Sequence, residues 1–446
     1  MRSKTLAHAI AMACATWAAG SILFIPVAAH AQAAATQQAP SGPSSQAQER
    51  LTLSQALGLV EAANPTLRAK QAQLAQAEGA RSDASALLYN NPQLSADLTR
   101  RSVPQADQGT ERRREWSAGL SQTLEIAGQR GHRRDAADAA LAALQAEIAD
   151  TRRAVRAETS ERFVKVLAFQ QRVALEEQAL KLFEGTASAV QKRRAAGEDT
   201  KLDANIAAVE AERARNQVAI AQEQLLAART ELAAVLQLSP TSLPEVVGDL
   251  AMAPPPFSLA ELLSSADAQP RLRALVEREK SANSKLKLEQ ASTYPDVTVG
   301  VTVGREGASG ARERLTTFSV SVPLPLFKRN AAGIGQARSD LSQVQIEREA
   351  ALRDSRANVN GLWLRLQSLQ ARVRRLQESM LPALVDNQQL SVKSRQAGQI
   401  GLLELIVVNR QALDAQRDLN DALTEYHTTR LELELAAGWS QEATQP

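Results

Sequence analysis

Hydrophobic positions along this chain follow two periods, and the order in which those periods alternate occurs twice. Helical spacing from Thr52 to Tyr89 gives way to two-residue alternation at Leu94, Ala96 and Leu98, and again at Trp116, Ala118 and Leu120. Helical spacing then resumes through Leu141, Leu144, Ile148 and Val155. The second copy, about 200 residues on, repeats the order with more contrast. Val297, Val299, Val301 and Val303 point one way while Thr298, Gly300, Thr302 and Gly304 point the other, and Phe318, Val320, Val322 and Leu324 alternate with Thr317, Ser319, Ser321 and Pro323. Period two with one apolar and one polar face predicts strand pairs. Leu362, Leu366, Leu369, Val373, Leu376 and Met380 step by four and three, the seam of a left-handed coiled coil.

Local sequence carries the same duplication. Leu53 to Ala69 returns as Leu259 to Ala274, with Pro65, Leu67 and Arg68 reappearing as Pro270, Leu272 and Arg273. Tyr89 matches Tyr294, Trp116 matches Phe318, Arg194 to Gly197 matches Arg395 to Gly398, and Arg229 matches Arg430. Each copy therefore reads helix, strand, strand, long helix, return helix, and each is half of one packed architecture. The division expected is an export signal over 1–31, a leader over 32–50, repeat 1 over 51–238, a proline-rich connector over 239–257, repeat 2 over 258–438 and a tail over 439–446.

Thr52 with Gln55, and Ser258 with Glu261, form capping boxes that open the first helix of each copy. Those helices are expected to run to Tyr89 and Tyr294, where Pro92 and Pro295 follow. The charged, glycine-containing stretches Ser102 to Arg114 and Arg305 to Arg314 are expected as loops between paired strands. The long helices, Gly131 to Ala195 and Arg329 to Ala397, would each span roughly 97 Å at 1.5 Å per residue. The chain turns at Gly197 and Gly398, so the first and return helices are expected end to end beside the long one. Pro382 is expected to kink the second hairpin only.

Composition narrows the class. Arg2 and Lys4, the apolar stretch Ile10 to Ala28 and Ala29-His30-Ala31 form a secretory signal with cleavage before Gln32. A retained membrane helix is the rival reading of that stretch, and lipidation at Cys14, the one cysteine, is the weaker alternative to its removal. The chain of 446 residues has 52 basic and 49 acidic side chains, so that without Arg2 and Lys4 the mature net charge is near +1. Nucleic-acid binding, which needs clustered basic charge, gains no support from that balance. Aromatic residues at 3% fit long helical bundles rather than a thick core. Catalysis gains no support either: the mature chain has only His132 and His427, with no nucleophile motif, metal-ligand cluster or cofactor loop.

Two readings of the strands stand side by side: a half-buried sheet of a soluble protein, or part of an outer-membrane barrel with lipid outside and water inside. Four strands cannot enclose a channel, so the barrel reading requires several chains to share one barrel. The fold class expected is mostly α with a small β part.

The strand exit Val320-Ser321-Val322-Pro323-Leu324-Pro325-Leu326-Phe327-Lys328-Arg329-Asn330, with Leu124-Glu125-Ile126-Ala127-Gly128-Gln129-Arg130 in the first copy, resembles TolC-type outer-membrane efflux proteins, and among them the heavy-metal cation (CzcC-like) branch. The resemblance covers Leu51 to Gly438. It implies a homotrimer with a twelve-stranded barrel in outer-membrane lipid and a helical coiled-coil barrel across the periplasm. It further implies docking to a periplasmic adaptor and an inner-membrane RND-type pump, without enzyme activity, cofactor or nucleic acid. Multidrug efflux, type I secretion and, from another class, a periplasmic coiled-coil adaptor are the alternatives. By the same resemblance, adaptor contact falls on the tips, Arg194, Gly197 and Leu202, and Arg395, Gly398 and Leu403. The acid six residues after each tip glycine, Asp203 and Glu404, falls on the gate, although both also fit first-turn acids favoured by the helix dipole. The family's basic residue two after the second glycine is Ile400 here, so Arg395 and Asp203 are expected to supply the closing pair instead.

Overall fold

In the computed structural model, residues 50–105, 109–239, 243–308 and 310–439 are described. The export signal with Cys14, the leader up to residue 49 and the tail from residue 440 lie outside the described residues.

Repeat 1 contains α1 (Leu53–Ala63), α2 (Pro65–Ser85), β1 (Gln93–Gln105), β2 (Gly109–Leu124), α3 (Gln129–Ala195) and α4 (Lys201–Val235). Repeat 2 contains α5 (Leu259–Asp267), α6 (Pro270–Ala291), β3 (Val297–Ala308), β4 (Ala311–Ser321), α7 (Ala331–Arg375), α8 (Leu381–Gln396) and α9 (Leu402–Ala437). The fold is mostly helical with one small antiparallel sheet, as the two periods predict.

The expected single helix from Thr52 to Tyr89 is two helices, and so is its counterpart. Pro65 and Pro270 each stand at the first position of a new helix. A proline lacks the amide hydrogen to continue the preceding turn and pushes the residue before it out of the α region. Asn64 accordingly adopts extended geometry and caps α2 through Leu67 N, at 3.1 Å. The helices end at Ser85 and Ala291, short of the tyrosines. Both capping boxes form as expected, at Thr52 and Ser258.

Ion pairs spaced along α3 show the end-to-end arrangement. Asp138 meets Arg81 and Glu147 meets Lys70 of α2, Arg156 meets Glu61 of α1, Arg162 meets Glu231 near the end of α4, and Glu184 meets Arg215 further on. Along α7 the order recurs: Arg348 meets Glu279 of α6, Arg356 meets Asp267 of α5, and Arg372 meets Glu425 of α9. Where the two shorter helices meet, each repeat buries an apolar cluster. Ala56, Val60, Phe163, Val166 and Leu232 form one; Leu262, Ala266, Val359, Leu366 and Leu433 form the other. The connector lies against these clusters at mid-bundle. Its Gly248 faces Leu167, and Ala253 O accepts from Tyr426 Oη at 2.6 Å.

Between α7 and α8, Leu376–Met380 forms one π-helical turn that ends two residues before Pro382. A widened turn absorbs the missing donor of a mid-helix proline. In repeat 1, α3 runs uninterrupted through the matching position, which holds Lys181. The perturbation is confined to the second hairpin, as expected.

At their hairpin ends the strands are longer than the alternation alone predicts, whereas β4 stops at Ser321, short of the expected Leu324, where Pro323 and Pro325 cannot donate to a ladder. The stretches expected as loops, Ser102 to Arg114 and Arg305 to Arg314, continue the ladders to Gln105–Gly109 and Ala308–Ala311. Charged side chains are no bar to a strand when both faces of the ladder meet solvent or polar partners, so charge marked a change of surroundings and not the strand end.

Candidate functional site: the sheet faces and the bundle tip

Direct cross-strand partners lie on the same face of an antiparallel sheet. Leu94 pairs with Leu120 and Leu98 with Trp116; Leu120 pairs with Val301, and Val301 with Phe318. One face is therefore a continuous apolar band across both repeats. It is also open: Leu98 is 89% and Phe318 79% exposed. The opposite face carries Ser95, Asp97, Ser117, Gly119, Thr302, Gly304 and Ser319. A Cβ added at Gly119 would fall 2.8 Å from Ser95 Oγ and 2.9 Å from Thr302 Oγ1, and one at Gly300 would fall 2.7 Å from Ser319 Oγ. The polar face is thus the crowded one, as for the inside of a curved sheet, and the exposed apolar face is the outside. Strand order β1-β2-β3-β4 leaves β1 and β4 as open edges. Each edge leaves a row of backbone donors and acceptors unpaired beside the apolar face.

The two hairpins of the bundle end in matching turns. Glu198 N donates to Arg193 O at 2.9 Å and Gly197 N to Arg194 O at 3.0 Å; Gln399 N donates to Ser394 O and Gly398 N to Arg395 O at 2.9 and 3.1 Å. This double bond is the Schellman motif, which needs a left-handed residue, and Gly197 and Gly398 have φ of +82° and +73°. No atom lies within 4 Å of a Cβ built on either glycine, so backbone geometry and not packing within the chain demands them. Arg194, Leu202 and Leu403 are exposed beside the turns.

Arg395 does bridge the two hairpins, but its partner is Asp199. Arg395 Nη2 donates to Asp199 Oδ1 at 2.8 Å, Arg395 Nη1 to Ile400 O at 3.3 Å, and Arg193 Nε to Asp199 Oδ2 at 3.2 Å. The Asp199 side chain is 5% exposed. Asp203, the expected partner, closes a capping box: its Oδ2 accepts from Thr200 Oγ1 at 2.6 Å and Thr200 N at 3.1 Å. Those bonds, the hydroxyl one first, hold its carboxyl below the usual range, with the Arg395 charge as the smallest contribution. The pair expected from the sequence is therefore replaced by an Arg193–Asp199–Arg395 cluster. Thr200 three residues before Asp203 was the signal for the cap. Glu404 lies exposed in the first turn of α9, folded over Gly401.

Further up the bundle, Glu176, with a side chain 2% exposed, accepts from Arg172 of its own helix and from Arg417 of α9 at 2.6 and 2.9 Å. Arg410 of α9 likewise meets Glu210 of α4. These pairs, joined over sequence separations of 200 residues or more, fasten one repeat to the other. Among the described residues no group of three metal-ligating side chains occurs, and no helix is long and apolar enough to cross a membrane.

Duplicated helical hairpins, continued by an edge-open sheet with apolar outside and polar inside, define the subunit class of a shared helical and β barrel. The chain belongs to the outer membrane efflux protein family, whose pattern matches residues 56–236 and 262–439. It is 28% identical over 381 residues to the cobalt-zinc-cadmium resistance protein CzcC of Cupriavidus metallidurans, covering 84% of this chain and 85% of that one. The fold matches a membrane protein of Pseudomonas aeruginosa (TM-score 0.74, 20% identity, 88% and 91% of the two chains). It also matches the outer membrane protein VceC of Vibrio cholerae (TM-score 0.72, 19% identity, 87% and 96%).

Proposed function

We propose that this chain is the outer-membrane channel of a tripartite efflux system, a homotrimer that passively conducts heavy-metal cations delivered by an inner-membrane pump and a periplasmic adaptor. The observation that carries the reading is the sheet: four strands, two open edges, an exposed apolar face and a crowded polar one. Three copies joined edge to edge give a twelve-stranded barrel with lipid outside and water inside. The name of the CzcC relative supports cobalt, zinc or cadmium as cargo. Support also comes from the inner face, where Asp97, Glu111, Glu115, Glu306 and Glu313 outnumber Arg101 and Arg113, because acidic linings favour cations. A conduit of this kind needs no binding site, and the tips, with open space beside both glycines and exposed Leu202 and Leu403, suit docking of the adaptor's helical hairpins. The Arg193–Asp199–Arg395 cluster ties the two hairpins of a chain and so biases the tip toward closure.

Deleting the gene should sensitise its host to cobalt, zinc or cadmium, and the full chain should restore resistance while a chain lacking Val297 to Leu324 should not. Unchanged metal tolerance accompanied by new sensitivity to organic drugs would assign the duct to drug efflux instead.

A further inference from the structure

The outward face of the sheet changes chemistry at one level. Beyond the Leu98–Trp116 pair, the next pairs on that face are Arg100–Arg114 and Ser102–Arg112. Beyond Val303–Thr316 come Arg305–Arg314 and Gly307–Arg312, and Arg305 pairs across the repeat boundary with Trp116. Arg100, Arg112, Arg114, Arg305, Arg312 and Arg314 therefore share the apolar face, all exposed except the half-buried Arg305. Every acidic side chain among the described strand residues lies on the other face. There, Arg101 pairs with Glu115 at 3.3 Å and Arg113 with Glu111 at 2.8 Å. The six outward arginines make no ion pair with a described residue.

Like charges directly opposite one another weaken a sheet, and this one places Arg100 against Arg114 and Arg305 against Arg314. The arrangement calls for an anion outside the protein. Arginine at all six positions, with no lysine among them, suits phosphate, which the planar guanidinium grips with two parallel bonds. Position identifies the source. The helices leave the sheet at its other end, so in a barrel whose helices stand in the periplasm the arginine level meets the outer leaflet, just past the Trp116 girdle. Arginine on a lipid-facing strand is costly at mid-bilayer and nearly neutral at the interface.

We propose that this arginine belt binds the phosphates of outer-leaflet glycolipid headgroups and so anchors the barrel at a fixed depth. The proposal rests on the outer-membrane reading given above. The test uses the full-length protein extracted from outer membranes, delipidated in mild detergent and titrated with bisphosphorylated lipid A, with its enzymatically dephosphorylated form, or with inorganic phosphate, bound lipid being counted by native mass spectrometry. The intact protein should retain the bisphosphorylated lipid at least tenfold better than the dephosphorylated one, and millimolar inorganic phosphate should not displace it. Each arginine removed at an anionic surface lowers affinity about fivefold. The triple variant R112Q/R114Q/R312Q should therefore lose about a hundredfold, while R101Q on the inner face should change nothing. Equal retention of the two lipids by the unaltered protein would overturn the belt, as would full displacement by inorganic phosphate. Either result in protein that still assembles in the outer membrane leaves the channel reading standing. Protein that never enters the outer membrane would remove both.

Discussion

Replacing Asp199 by Asn should open the tip. Asp199 is 5% exposed and receives Arg395 from the second hairpin at 2.8 Å and Arg193 from the first at 3.2 Å. Hydrogen bonds to a charged partner are each worth about 1.5–3 kcal/mol. The Asn side chain keeps one acceptor, and Arg395, 18% exposed, recovers some hydration. A net loss of about 2 kcal/mol remains, which shifts a closed-to-open ratio by roughly 30-fold. Asp203→Asn weakens only the capping box at the start of α4, by less than the about 1 kcal/mol a whole cap is worth, and leaves the contact between hairpins intact. Single-channel recording in planar bilayers separates the two: Asp199→Asn should raise the open fraction markedly and Asp203→Asn little. If Asp203→Asn opens the channel as much as Asp199→Asn, or neither does, the cluster is not a closing element.

Substituting Leu for Gly197 or Gly398 forces a side chain into left-handed geometry, costing about 1–2 kcal/mol, and fills the open space at the tip. Adaptor cross-linking should fall while trimer yield stays constant. Glu176→Gln leaves Arg172 and Arg417 facing a neutral group in a nearly dry site, so calorimetry should show a loss of about 3–5 kcal/mol. Burial holds the His427 pKa below its usual 6.5, while the ring, as neutral donor from Nε2, meets Leu250 O at 3.0 Å. The folded state favours the neutral form more strongly than the unfolded chain does, so stability from this group is complete above pH 6.5. It should decline as pH falls from there through the depressed folded value. Thermal melts of His427→Gln against the unaltered chain should show a smaller decline over that window.

The parts of this molecule encoded by neighbouring residues were legible in its sequence. Alternation in Val297 to Val303 and Phe318 to Val320 marks the strands, Thr52–Gln55 and Ser258–Glu261 mark helix starts, and Gly197 and Gly398 mark the turns, but the alternation runs on to Leu324 past the end of β4 at Ser321. Pro65 and Pro270 break each first helix in two although the helical period continues on either side of them, because a proline at the first position of a helix costs the new helix nothing. The strand ends lie beyond the charged stretches because in this sheet charge marks the level where the apolar band ends and not the end of the ladder. At the tip, the sequence marks Arg395 as a bridging residue but not Asp199 as its partner. Asp199 and Asp203 lie one turn apart, and only the capping relation with Thr200 separates a carboxylate already engaged from one that is free to bridge. Contacts such as Glu176 with Arg417 depend on how two repeats pack at a separation of 241 residues, which no local pattern reports.

A single sheet leaves an apolar face and two edges uncovered, which three chains sharing one barrel would cover. Native mass spectrometry of the particle extracted from outer membranes would read the number of chains. A species of three chains is expected, each of 48.0 kDa less its export signal. A monomer of one chain mass recovered from the soluble periplasm would contradict it.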